Sequence, residues 1–216
     1  MFEKPGALSK ISSPVRMEVL VSPGEDGLIT FSLTGEDGRL IRQQVENYAN
    51  YIGRRLWISP TMEFDISAAA EFARLSVYTR DLSGRLITLH SVDVVLMMVG
   101  NDDVNPPAVT QEPFIIRYPE PAQVVNGGTL VLYILVRPVN ASPLLVEIID
   151  DSGKVVGSKE FIVPQPTGDL SHTPVVLEIP YSLDLPTGAR VTLSQKSDNR
   201  IPGIVALSSL AITLEP

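Results

Sequence analysis

The chain says the same thing twice, and that repeat constrains its fold more than any single motif. Phe31-Ser-Leu-Thr-Gly-Glu-Asp-Gly-Arg-Leu-Ile41 returns as Val146-Glu-Ile-Ile-Asp-Asp-Ser-Gly-Lys-Val-Val156. Ala73-Arg-Leu-Ser-Val-Tyr78 returns as Ala189-Arg-Val-Thr-Leu-Ser194, and Leu89 to Leu96 is echoed by Leu207 to Leu214. The hydrophobic phase survives although the residues change: Phe31 answers to Val146, Leu75 to Val191 and Val94 to Ile212. A period of just over one hundred residues means two copies of one supersecondary unit. It is also a common size for a β-sandwich domain.

Alternation with period two dominates each copy. Met62, Phe64 and Ile66 share a face opposite Glu63 and Asp65; Leu75 and Val77 alternate with Arg74, Ser76 and Tyr78. Strands with one wet face belong to antiparallel sheets packed in pairs. Glu36-Asp37-Gly38, Asp81-Leu-Ser-Gly84 and Asp151-Ser-Gly153 lie between strand-like runs. Their acidic and Ser side chains cap the turn, and Gly takes the positive φ of a short hairpin. Only Val45 to Ile52 and Ser67 to Phe72 carry a helical turn or two. The predicted fold is therefore all-β, with two tandem immunoglobulin-like antiparallel β-sandwiches. The first covers residues 1–100 and the second 113–216, joined by a polar Asn-, Asp- and Pro-rich linker, 101–112. Two adjacent prolines, Pro106 and Pro107, stiffen that linker.

Charge excludes some partners. The net charge is −8, divided equally between residues 1–103 and the remainder, with no basic cluster. That speaks against nucleic acid and against an anionic membrane surface. With no cysteine, disulfides, zinc–thiolate sites and thiol nucleophiles are absent. No apolar run reaches the length of about 18 residues that a membrane-spanning helix needs, and Met1 to Pro5 shows no signal-peptide pattern.

In the second half, Phe114-Ile-Ile-Arg-Tyr-Pro-Glu-Pro-Ala-Gln-Val-Val125 reads as a strand, a Pro-x-Pro kink and a short second strand. Leu144 to Ile149, Asp-Asp-Ser-Gly-Lys154 and a strand ending near Val163 follow. This layout resembles the immunoglobulin-like module first described in bacterial spore-germination proteins, over residues 114–214 and more loosely over 11–97. The first half departs from it, with only Lys4-Pro5-Gly6 where the opening Pro-x-Pro strand belongs. The Gly-rich segment before the last strands is reduced to Asp198 to Gly203. The resemblance implies an exported, extracytoplasmic binding or spacer unit and supplies no catalytic residues.

Catalysis would need an activated base, acid or nucleophile in a pocket. The two histidines, His90 and His172, read as surface or rim residues, and no nucleophile elbow, phosphate loop or His-Glu-x-x-His occurs. The chain is expected not to be an enzyme. Two stretches lie outside the repeat. Tyr48-Ala-Asn-Tyr51-Ile-Gly-Arg54-Arg55-Leu-Trp57 combines the residue types that dominate binding hot spots and sugar platforms. Its ligand would be an unknown protein or glycan, unless Trp57 merely plugs the first core. Asn101-Asp102-Asp103-Val-Asn105 resembles the calcium-binding linkers between cadherin domains. Calcium takes six to eight oxygen ligands; the other reading is a solvated hinge whose Asn and Asp side chains cap turns. No other cofactor is expected. Asn140-Ala-Ser142 matches a glycosylation sequon, read as coincidence. Two functions stay open: a binding or structural spacer, or an accessory carbohydrate- or protein-binding module of a larger exported enzyme or adhesin.

Overall fold

The computed structural model describes residues 1–107, 109–164 and 171–216. Residue 108 of the expected linker and residues 165–170 lie outside the described residues. The chain forms two compact units, each with its own core. One comprises Met1–Gln111 with Asn199–Val205; the other comprises Glu112–Asp198 with Ala206–Pro216.

The first unit contains β1 (Phe2–Lys4), β2 (Lys10–Ser12), β3 (Val15–Arg16), β4 (Glu18–Val21), β5 (Leu28–Gly35) and β6 (Leu40–Asn47). A single 3-10 turn, Ala49–Tyr51, follows, then β7 (Leu56–Ile58), β8 (Thr61–Met62), β9 (Ala70–Arg80) and β10 (Leu86–Met97). One sheet has the order β1-β4-β7. The other runs β6-β5-β9-β10, with β2 joined parallel to β10 and β3 paired with β8 as a separate ribbon. Val19 and Ile58 from the small sheet meet Phe31, Leu33, Leu75 and Val94 from the large one in a single core.

The second unit repeats this plan. It contains β11 (Phe114–Tyr118), β12 (Val124–Val125), β13 (Thr129–Val136), β14 (Leu144–Asp150), β15 (Val155–Phe161), β16 (Thr173–Pro180), β17 (Thr187–Lys196) and β18 (Ile204–Leu214). Its small sheet has the order β11-β13-β16. Its larger sheet runs β15-β14-β17-β18, with β12 parallel to β18. Leu130, Leu132 and Ile179 pack across onto Val146, Ile148 and Val191. The repeat therefore extends to strand pairing. Phe31 lies opposite Val77 in the first unit, and their counterparts Val146 and Leu193 lie opposite each other in the second. Both units are immunoglobulin-like antiparallel sandwiches.

The turns behave as their sequences predict. Gly38 and Gly153 have φ of +82° and +86°, a region open to glycine at little steric cost. Arg39 N donates to Asp37 Oδ1 at 3.0 Å, and Ser152 N and Lys154 N donate to Asp150 Oδ1 at 2.8 and 2.9 Å. These donors hold both carboxyls below the usual carboxylate range, the Arg39 N–H leading at Asp37 and the Ser152 hydroxyl at Asp150.

Four expectations need correction. Residues 45–47 extend β6, leaving only the 3-10 turn at Ala49–Tyr51, and Ala70 to Phe72 open β9. Pairing with neighbouring strands overrides the weak local helical preference. The first half does have a split opening strand: β1, Pro5 and β2 mirror β11, the Pro119–Pro121 kink and β12. The wet face of β9 is covered, with Arg74 only 3% exposed. Arg74 Nε and Nη2 donate to Asp93 at 2.8 and 3.3 Å, Nη1 donates to the Ile201 carbonyl, and Nη2 reaches Asn199 Oδ1. These partners satisfy a guanidinium that burial alone would penalise.

The fourth concerns His90, which is half-buried on the inward phase of Val92 and Val94 on β10, opposite Val77, and is not a surface residue. Burial, reinforced by the positive charges of the N-terminus and then of Arg55, pushes its imidazole down to about 3. His172 sits in the second unit with Nε2 at 2.7 Å from the Glu112 carbonyl.

Candidate functional site

The sequence from Tyr48 to Trp57 crosses from β6 to β7 through the 3-10 turn. Tyr48 N donates to the Gly27 carbonyl at 2.8 Å, Tyr51 N to the Tyr48 carbonyl at 2.8 Å and Arg54 N to the Tyr51 carbonyl at 3.0 Å. The connection is thus fixed by backbone hydrogen bonds. It divides the aromatic residues into two kinds. Tyr48 leans on the core, and its hydroxyl donates to Glu46 Oε2 at 2.7 Å. Burial first, and that carboxylate second, push the phenol up to about 12. Tyr48 is an anchor. Tyr51 stands edge-on to it, with centroids 6.4 Å apart at 63°, and is 44% exposed.

Trp57 does not plug the core. It is 56% exposed, because on β7 its neighbour Ile58 takes the inward position opposite Val19, while Trp57 lies opposite Leu20. β7 is an edge of its sheet, and Arg54 and Arg55 in the preceding turn are exposed. The structure therefore presents one exposed aromatic and cationic edge made of Tyr51, Arg54, Arg55 and Trp57, with Tyr48 behind it.

The Asn-Asp segment lies along the first unit and is bonded to it. Lys10 and Asp103 exchange backbone hydrogen bonds of 2.9 and 2.8 Å, and Lys10 Nζ approaches Asp103 Oδ2 at 3.8 Å. Asp102 Oδ1 accepts from both the amide and the hydroxyl of Ser12 at 2.7 Å. Asn105 Nδ2 donates to the Ala7 carbonyl at 2.9 Å, its backbone N–H donates to Ser9 Oγ at 3.0 Å, and its carbonyl accepts from Gly6 N at 3.0 Å. Asn101 is exposed. Of the oxygens expected around calcium, Asp102 Oδ1 and the Asp103 and Asn105 carbonyls thus accept hydrogen bonds from β2 and the turn before it. Among the described residues, no three His, Cys, Asp or Glu side chains converge as a metal would require.

Asp102 and Asn105 also border a cleft of about 750 Å³ within the first unit, edged by Lys4, Arg16, Glu18 and Val104, with the buried Ile11 and Met17 beneath it. No local motif announces this cleft. The only sequence signal is the alternation Arg16-Met17-Glu18, which puts Met17 inside and both charges outside.

No family model matches the chain, and no curated protein matches it. Solved structures similar to it include CBD12 from CALX1.2, at 9% identity over 92% of this chain and 82% of that one, with a TM-score of 0.26. A β-glucuronidase from Ruminococcus gnavus matches at 7% identity over 98% of this chain and 36% of the enzyme, TM-score 0.25. An exo-chitosanase from Amycolatopsis orientalis matches at 14% identity over 89% and 25%, TM-score 0.24. At such scores these likenesses carry no argument about function, and the fold stands on the strand pairing described above.

Proposed function

We propose that this chain is a non-catalytic, exported or envelope-associated binding or spacer protein, and that the Tyr51–Trp57 edge is its recognition surface for a protein or glycan. The observation that carries this reading is Trp57, a large aromatic left more than half exposed on an edge strand. Aromatic and Arg side chains of this kind supply most of the energy at protein interfaces. A non-catalytic role is supported by the histidines, one facing inward with its ring held neutral and the other engaged with a backbone carbonyl. The spore-germination type of module is supported by the split first strand with its proline kink, present in both units.

Trp57 is the chain's single tryptophan, so its emission reports on this edge directly. Glycan-array and protein-capture screens of the wild type and Trp57→Ala test the reading. The expected result is a ligand whose binding quenches or blue-shifts Trp57 emission and is lost in the variant. A ligand bound equally by both, with unchanged emission, would remove the edge as the recognition surface. For calcium, thermal unfolding with added calcium or with a chelator is decisive: coincident curves dispose of the linker as a site.

A further inference from the structure

β6 is an edge of the large sheet of the first unit. Among the described residues it pairs with β5 alone. None of its eight residues is buried, and Leu40 and Val45 are more than half exposed. An edge strand presents a row of unpaired backbone groups, which native proteins protect with charge, proline or a bulge. Here the protection is partial. A register shift at Leu33–Thr34 affects one end, no proline interrupts the strand, and its only ionisable side chains are Arg42 and Glu46.

The direction of the unpaired groups follows from β5. Leu28 turns both of its own away from β6: its N–H donates to Asp26 Oδ1 at 2.8 Å, and its carbonyl accepts from Gly24 N at 2.9 Å. Bonding directions alternate along an antiparallel strand, so Ile29, Phe31 and Leu33 bond to Glu46, Gln44 and Arg42 opposite them. Tyr48 N, donating to the Gly27 carbonyl at 2.8 Å, continues the same phase. Gln43 and Val45 are left with N–H and carbonyl facing outward.

Two copies of such a strand can pair antiparallel about a two-fold axis, where residue i meets j and j meets i. Centring the pair on Gln44 bonds Gln43 of each copy to Val45 of the other. It also sets Arg42 of each copy opposite Glu46 of the other. These are positions without mutual backbone bonds, where side chains approach more closely. Centring on Gln43 instead sets Arg42 against Gln44 and Glu46 against Leu40. Centring on Val45 sets Glu46 against Gln44 and Arg42 against Tyr48. Only the Gln44-centred register joins opposite charges. Arg42 is exposed, and among the described residues its guanidinium has no partner, although Glu63 and Asp65 share the groove beside it. Glu46 is held by two neutral donors, Gln44 Nε2 at 2.8 Å and the Tyr48 hydroxyl at 2.7 Å. They fix the carboxylate in place and leave its charge uncompensated.

We infer that β6 is a self-association edge, where two copies of this chain join antiparallel about Gln44 through two Arg42–Glu46 ion pairs. A strand without matching charges would leave Arg42 and Glu46 uncompensated, so the residues that favour a second copy disfavour other partners.

A contact made by one eight-residue strand is smaller than a standard interface, so the equilibrium belongs at high protein concentration. Sedimentation equilibrium of the intact chain over a concentration series tests it, and the expected result is a reversible monomer–dimer equilibrium. Arg42→Glu alone and Glu46→Arg alone each set like charges against each other at both contacts. Each should weaken association about tenfold or more. An equimolar mixture of the two variants should associate again, because one then carries only carboxylates at these positions and the other only guanidiniums. The double variant Arg42→Glu/Glu46→Arg should dimerise by itself. Val45→Pro removes an outward N–H from an edge position, where proline is tolerated, and should abolish association with the charges intact. Trp57→Ala should leave association unchanged. A chain that stays monomeric at every concentration, charge variants that associate as wild type does, a mixture that stays monomeric while wild type dimerises, or loss of the dimer in Trp57→Ala would each overturn the inference.

Discussion

His90 shows how one side chain couples the core to pH. Its folded-state value of about 3 lies below the roughly 6.5 of an exposed imidazole, so the native chain binds fewer protons than the unfolded chain between those limits. Its contribution to stability is full above about pH 6.5 and is lost as pH falls through the window, at up to about 1.4 kcal/mol per unit. Denaturant unfolding of wild type and His90→Gln from pH 7 to pH 4 should show the gap between them narrowing as pH falls; a constant gap would mean the ring is not excluded from water. Gly6 makes a steric point instead. A Cβ there would run into the Pro106 carbonyl and come within 2.7 Å of the Asn105 carbonyl. Both are backbone atoms that cannot swing aside. Gly6→Ala should cost about 1–3 kcal/mol, as overpacking does, measured by the same unfolding experiment. The inward phase of His90 was readable from Val92 and Val94; the hindrance at Gly6 was not, because its partners lie about one hundred positions away in sequence.

At the level of elements, the two sides of β7 should respond differently. Ile58→Ala removes an inward side chain and should cost about 2–4 kcal/mol. Trp57→Ala removes an outward one and should cost below about 1 kcal/mol, as read from denaturation midpoints. Comparable losses at both positions would return Trp57 to the core. On β9 the outer face carries a partly buried ion pair. Arg74→Ala should cost about 3 kcal/mol because it strips Asp93 of its guanidinium partner. A change within about 0.5 kcal/mol would show that the Asp93 and Asn199 contacts add nothing net. Period-two alternation located β9 and β10, but it extended a strand over residues 63–66, which are irregular beyond β8, and it misjudged the outer face of β9. Arg74 looks solvated in sequence, and its partners include Asn199 and Ile201, which no local pattern connects to β9.

Across the whole molecule, the repeat makes its own prediction. Leu33 and Ile148 occupy matching registers, opposite Leu75 and Val191, and both are fully buried. Leu33→Ala and Ile148→Ala should each cost about 2–5 kcal/mol, measured as the shift of the transition that each perturbs. The sequence by itself determined the all-β class, the doubling, the hairpin turns and the phase of the core strands. Those follow from local rules: side chains alternate along a strand, and tight turns favour residues that cap them or tolerate positive φ. The tertiary structure alone decided that Trp57 faces outward while Tyr48 anchors, that Asp102 and Asn105 fasten onto the β2 region, and that Arg74 is buried against Asn199 and Ile201. Each of these depends on which groups distant in sequence arrive beside one another, and that is settled by packing and by the need to satisfy buried polar atoms, not by the residues nearest in the chain.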